Sequence, residues 1–301
     1  MTAPLTPAPV GPAVTAALPA RAPARAGRLR AARPGVALCW LLLALVAVAT
    51  LWPHWLAPGD PNATRVREAL LGPGGDHPFG TDQLGRDLYT RVVYGARISI
   101  EVGVGATALA LALGVLVGGL AATGGRWLDE LLMRVTDVLL AFPGTLLALL
   151  VVAVLGPGTS HSLIAIGLSA APGFARLVRG QALVIRNADY VRTTVTFGRG
   201  RLDATLRHLL PNALPPLLVL ATINVGVSII AGASLSFLGL GPAAPTAEWG
   251  AMLAQGEGFL SISWAVAVFP GLAVTATVVA INVVGRDLQR RLAGRGRHGR
   301  I

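Results

Sequence analysis

The sequence predicts an all-α, polytopic membrane protein with six transmembrane helices and both termini in the cytoplasm. Three observations carry this. Of 301 residues, 53% are hydrophobic and only 13% charged, far from the balance of a water-soluble chain. Five long stretches lack charge altogether: Pro34 to Trp52, Val102 to Gly125, Val138 to Ala175, Leu209 to Ala247 and Gly258 to Gly285. All 25 basic residues are Arg, and they cluster between alternate stretches.

The first 34 residues are mostly Ala, Pro and Arg, without periodicity, and cannot bury enough apolar surface to fold. They predict a disordered cytoplasmic tail. The charged region is too long, and the following apolar run too long, for a cleaved signal peptide. The first span is predicted at about 35–55.

A long loop follows, holding five Arg balanced by five acids. From Thr81 the run TDQLGRDLYTRVVYGAR sets Leu84, Leu88 and Val92 four apart. Asp82 with Arg86, and Asp87 with Arg91, form acid-first i,i+4 pairs. A short amphipathic helix at the membrane interface is expected there, ahead of a second span at about 100–123.

A hydrocarbon crossing needs about 20 residues, so Val138 to Ala175 must contain two spans. Gly156-Pro157-Gly158 is the break, giving spans at about 138–155 and 160–175. Between Pro211, Pro215 and Pro216 on one side and Gly239, Gly241 and Pro242 on the other fits a fifth span, about 217–238. The sixth is about 263–284. Pro143, Pro172 and Pro270 fall within or near spans three, four and six, as kinks or as hinges.

With the N-terminus inside, twenty of the 25 Arg lie in cytoplasmic segments, as the positive-inside rule demands. The segment 176–208 is the most informative of these. Asn187 or Asp189 can cap a helix, Gly198 can stop one, and Leu202, Leu206 and Leu209 share a face of the next. Helix, glycine break, helix results. Such a basic projection could rest on anionic lipid or dock onto a cytoplasmic partner.

Composition also excludes functions. Without Lys there is no phosphate-binding loop of the Walker type, so any ATP must be bound by another chain. The arginine pattern follows topology and not a nucleic-acid footprint. Cys39 has no partner for a disulfide, and His54, His77, His161, His208 and His298 lack the i,i+4 spacing of a metal pair. No span carries a central ionisable residue for ion coupling; Glu101 and Asp137 stand at span edges. An intramembrane hydrolase would need a nucleophile motif that is absent, with Ser234 and Ser236 better read as packing or backbone-bonding groups. A stand-alone channel would leave the long inner segment without a purpose.

The run YVRTTVTFGRGRLDATLRHLLPNALPP, Tyr190 to Pro216, resembles the EAA loop of permeases in binding-protein-dependent ABC importers, with Gly198, Leu210 and Pro211 at the family's spacing. HPFGTDQLGRD from His77, YGARIS from Tyr94, AFPG from Ala141, SLSFLGLG from Ser234 and WGAML from Trp249 resemble its peptide and nickel branch. The resemblance implies the type I importer permease fold, and partners: a second homologous permease subunit, two cytoplasmic ATPase subunits and an extracytoplasmic substrate-binding protein, all at a prokaryotic cell membrane and none involving nucleic acid. It also implies that the chain itself is not an enzyme and needs no cofactor. By position, the ATPase-coupling residues would be Tyr190, Val191, Arg192, Thr193, Thr194, Gly198, Arg199, Arg201, Leu210 and Pro211. Arg192, Thr193 and Thr194 stand where the family carries Glu-Ala-Ala, so an ion pair made by that Glu must be absent or reversed in sign. Short peptides are the implied cargo, and nickel or its chelates the second choice.

Overall fold

The computed structural model describes residues 34–186 and 201–295, of which 185–186, 201–215 and 291–295 by backbone alone. The tail predicted over 1–34 therefore lies, but for Pro34, outside the described residues.

Helix α1, Pro34–Leu51, is apolar all round and buries only Ala49, so Leu38, Trp40, Leu41 and Leu45 face outward as a lipid-exposed span requires. At its end Trp52 stacks on Trp55 with ring centroids 5.4 Å apart, the amphipathic pair expected where hydrocarbon gives way to headgroups. Trp55 belongs to the single turn α2, Pro53–Leu56.

Helix α3, Leu88–Thr123, corrects the separate interfacial helix expected from Thr81: the residues after Leu88 belong to one 36-residue helix continuous with the second span. Local bonds decide this. Asp87 caps α3 by accepting from the Thr90 amide at 2.8 Å, and its other oxygen faces His77, so it is not available to Arg91. Asp82 and Arg86 do pair, at 2.6 Å, but across a buried turn and not along a helix. Gly85 makes that turn possible: its φ of +71° is in the left-handed region, and a Cβ there would collide with the Arg65 carbonyl. At 1.5 Å per residue α3 is about 54 Å long, about 24 Å more than a hydrocarbon core. Its first turns stand within a cap made by residues 57–87 and by α8, Trp249–Glu257, against which Gly95 packs on Trp249.

The span expected over 138–155 is not one straight helix. Helices α4, Arg126–Ala141, and α5, Gly144–Leu155, meet at 96° across Phe142 and Pro143. Proline cannot donate to the preceding turn and biases Phe142 to extended backbone, where it sits with ψ 140°, so the chain turns a corner instead of bending gently. Gly156, with φ +90°, ends α5 at the expected break.

Helix α6, Thr159–Arg186, runs past the predicted end at 175 and accommodates Pro172. Helix α7, Arg201–Phe237, passes through Pro211, Pro215 and Pro216, which were expected to precede a span starting at 217. Proline's fixed φ is helical, so each one costs a local bond without forcing an end in so long a helix. The last helix, α9, is Ala265–Arg295 with Pro270 inside. Among the described residues five helices are long and apolar enough to cross a membrane, and six crossings result if the α4–α5 pair counts as one.

Helix α3 is the centre of the bundle, packed most extensively on α6 and then on α7. Gly114 and Gly118 allow the close approach: a Cβ on Gly118 would lie 2.8 Å from Val178 Cβ and nearer still to the Ala175 carbonyl. Small residues four apart on a facing stripe are how lipid-embedded helices gain contact without a hydrophobic drive between them.

Candidate functional site

A groove of about 390 Å³ opens between α5, α6 and α7. Thr145 and Ala148 line it from α5, Ile166 and Ser169 from α6, and Asn224, Val227, Ser228 and Ser234 from α7. None of its lining residues is ionisable. Within the apolar segment Pro216–Phe237, Asn224 and Ser228 stand about 12 and 18 Å from the start, bracketing the midpoint.

The polar groups there are organised. Thr107 on α3 donates to the Gly103 carbonyl at 2.9 Å and accepts from Asn224 Nδ2 at 3.1 Å. The same Nδ2 donates to Ser228 Oγ at 3.2 Å, and Ser228 lies 3.4 Å from Thr107. Ser169 and Ser234 bond back to the carbonyls of Ile166 and Ile230, so their hydroxyl hydrogens are spent on the helix. Ser234 thus bonds to backbone, one of the two roles expected of it. Sequence reasoning missed Asn224, Ser228 and Thr107 because it searched the spans for charge. The available signal was an Asn and a Ser at i,i+4 in an otherwise apolar run.

A second constellation joins α4 to α6. Arg179 grips Asp129 with two bonds, Nε to Oδ1 at 2.5 Å and Nη2 to Oδ2 at 2.7 Å, and Arg176 Nη2 donates to Asp137 Oδ1 at 2.5 Å. The first is a half-buried fork, the geometry in which Arg pairs most strongly, while both members of the second are more than half exposed and worth less. Asp137, expected as a span-edge charge, is this partner of Arg176. Both arginines lie at the start of the predicted coupling segment 176–208, ahead of the named coupling residues. Of that segment, Tyr190, Val191, Arg192, Thr193, Thr194, Gly198 and Arg199 lie outside the described residues, as do the proposed caps Asn187 and Asp189. Arg201, Leu210 and Pro211 belong to α7.

The cap is held by buried charge. Asp82 receives the Leu84 and Arg86 amides at 2.8 and 3.0 Å, Arg86 Nε at 2.6 Å, and faces Arg91 Nε at 3.5 Å. Arg91 also reaches the Pro61 carbonyl at 3.1 Å and the Pro245 carbonyl at 3.4 Å, tying three segments to α3. Glu248 caps α8, accepting from Gly250 and Ala251, and takes a hydroxyl hydrogen from Ser99 at 3.1 Å. His77 lies between Asp87, at 2.9 Å, and Glu68, at 3.2 Å. The bond to Asp87 raises its pKa above the ordinary 6.5, partial burial works against this, and Glu68 adds to the rise. Among the described residues no group of three His, Cys, Asp or Glu is placed to hold a metal.

Residues 110–298 match the family of binding-protein-dependent transport system inner membrane components. A protein of Brucella suis biovar 1 (strain 1330) named as a peptide transport system permease is 45% identical over 249 residues, 83% of this chain and 84% of the relative. The glutathione transport system permease protein GsiD of Escherichia coli O6:K15:H31 is 44% identical over 253 residues, 84% of each chain. A protein of E. coli K12 named as the D,D-dipeptide transport system permease DdpC is 40% identical over 257 residues, 84% of this chain and 86% of that one. In fold, the chain is similar to a chain of the MetNI methionine ABC transporter in an inward-facing conformation, with a TM-score of 0.56 and 19% identity over 67% of this chain and 95% of that one. A bundle of membrane-length helices around α3, a neutral groove at mid-span, and this degree of likeness over most of the sequence lead to one conclusion: the chain belongs to the family of binding-protein-dependent inner membrane components, the permeases of ABC importers.

Proposed function

We propose that the chain is one of two permease subunits of an ATP-driven importer for short peptides, receiving its cargo from an extracytoplasmic binding protein and moved by two cytoplasmic ATPase subunits. In this reading the subunit hydrolyses nothing itself. The termini and the segment around 187–200 face the cytoplasm, and the cap of residues 57–87 and 249–257 faces outward. The arginine distribution supports that orientation, since twenty cationic side chains would otherwise have to cross.

The single observation that carries the proposal is the groove: hydrogen-bonding but uncharged, with Asn224 and Ser228 at the middle of the apolar segment of α7. Polar side chains in a hydrocarbon layer face the bundle interior or a water-filled cavity, and transporters place their solutes near the midplane. A neutral wall holds a solute weakly, which suits a passage that follows selection elsewhere. It also favours peptides over free nickel, because no lining residue carries the carboxylate, imidazole or thiolate a transition metal prefers.

The ion pairs between α4 and α6 support a route for coupling. Motion delivered to Arg192 and its neighbours would enter α6, pass to α4 through Arg179 and Asp129, and reach α5, one wall of the groove, across the corner at Phe142 and Pro143. The test is purification and uptake together. The chain expressed with its neighbouring transport genes should bring down ATPase subunits, and proteoliposomes of that complex should accumulate labelled dipeptides only with ATP and binding protein. Peptide accumulation by the isolated chain, or nickel accumulation without peptide uptake, overturns the proposal.

A further inference from the structure

We infer that the groove is a hydrogen-bonding site for the peptide backbone, in which the Asn224 carboxamide oxygen accepts an amide N–H of the solute in transit. This rests on the peptide-permease reading above and deepens it by naming the group that is recognised.

The argument is one of donor and acceptor accounting. A carboxamide has two N–H donors and one oxygen with two lone pairs. Both donors of Asn224 are committed inside the protein, one to Thr107 and one to Ser228. Thr107 can accept because its own hydrogen goes to the Gly103 carbonyl, which fixes the direction of the bond. The amide plane is therefore held from two helices, and the capacity that remains on this groove-lining side chain is that of an acceptor. The two neighbouring serines on the wall, Ser169 and Ser234, have their hydrogens on helix carbonyls, so they too offer oxygen lone pairs to the groove.

An uncharged wall on which Asn224, Ser169 and Ser234 offer acceptors favours a solute that brings N–H donors and needs no counter-ion. A peptide amide has that chemistry. An acyl chain does not: it has no donor for the Asn224 oxygen, which would be left unsatisfied against lipid at a cost in free energy. Free transition-metal ions fit no better, since the wall offers no carboxylate, imidazole or thiolate. Thr107 and Ser228 are positioning residues here, acting through Asn224, while Asn224 itself touches the solute.

The experiment compares a dipeptide with its analogue methylated at the amide nitrogen, which has no N–H to give. Both are offered to proteoliposomes containing the full complex with the same binding protein, so that any preference exerted by that protein cancels between variants. In the wild type the plain dipeptide should enter faster. In Asn224→Leu the ratio of the two rates should fall by about tenfold, the worth of one hydrogen bond, with the methylated peptide entering as before. Thr107→Val and Ser228→Ala, which free the carboxamide to turn, should lower the same ratio by less, and Thr107→Ser should restore it. These also serve if Asn224→Leu fails to accumulate. An unchanged ratio in all the variants, whatever the absolute rates, overturns the inference while leaving the peptide-permease reading in place. Failure of the wild-type complex to import either peptide overturns that reading, and the inference falls with it.

Discussion

At the scale of single residues, the charges in the cap differ in what they do. Asp82 is enclosed with Arg86 and Arg91, and removing it would leave two buried cations facing each other. Breaking a buried pair costs about 3–5 kcal/mol, so Asp82→Ala should fail to accumulate as folded protein, read by detergent-solubilised yield. His77 is different, being held by Asp87 and Glu68, with Arg65 sharing the same Glu68 oxygen at 3.4 Å. Its pKa is raised in the folded state, so its contribution is fully present below the unfolded value near 6.5 and is lost as pH rises through the folded value. Hydrogen exchange in residues 66–87 should therefore be slower at about pH 6 than at about pH 8.5 beyond the intrinsic rate change, and His77→Gln should abolish the difference. Equal pH dependence in wild type and variant would remove His77 from this role.

Among helices, the α3–α6 seam is set by what is missing at Gly114 and Gly118. A Val at 118 must push backbone from backbone, since the groups it meets belong to Ala175 and Val178 and cannot swing away. Overpacking of this kind costs about 1–3 kcal/mol, so Gly118→Val should lower the thermal unfolding midpoint, whereas Gly119→Ala, with open space around it, should not. The clamp between α4 and α6 makes a functional prediction: Arg179→Met should leave the complex assembled but raise ATP hydrolysis per peptide imported. A preserved ratio would show Arg179 to be a fastening only. Much of this architecture was readable beforehand. Apolar runs free of charge mark helices because lipid leaves no alternative for the backbone, and Gly156-Pro157-Gly158 marks a stop by its own stereochemistry. The corner at Phe142-Pro143 was legible as a proline but not as a right angle, because a proline in a helical run is compatible with a mild kink or a full break, and packing chooses. The continuity of α3 was hidden for a related reason: Asp87 could have paired along the helix with Arg91, and only the fold brings His77 and Asp82 close enough to divert both. Asn224 drew no attention because its role comes from Thr107, 117 positions away.

For the whole molecule the decisive matter is orientation. In a chain with Cys39→Ala, a cysteine at Arg192 should react with a membrane-impermeant maleimide in inside-out vesicles and stay unlabelled in right-side-out ones; the opposite pattern would reverse the topology. Charge reversal at the same position, Arg192→Glu, should weaken co-purification of the ATPase subunits, and an unaltered complex would make the position incidental. The surplus length of α3 has a last consequence. In the proposed orientation that surplus carries the cap of residues 57–87 and α8 to the outer headgroup layer or beyond it, so the expected entrance is from bulk water. A greasy peptide that accumulates in the bilayer is concentrated below the entrance and gains nothing there, and rates of entry should follow aqueous concentration irrespective of how strongly a cargo partitions into fat.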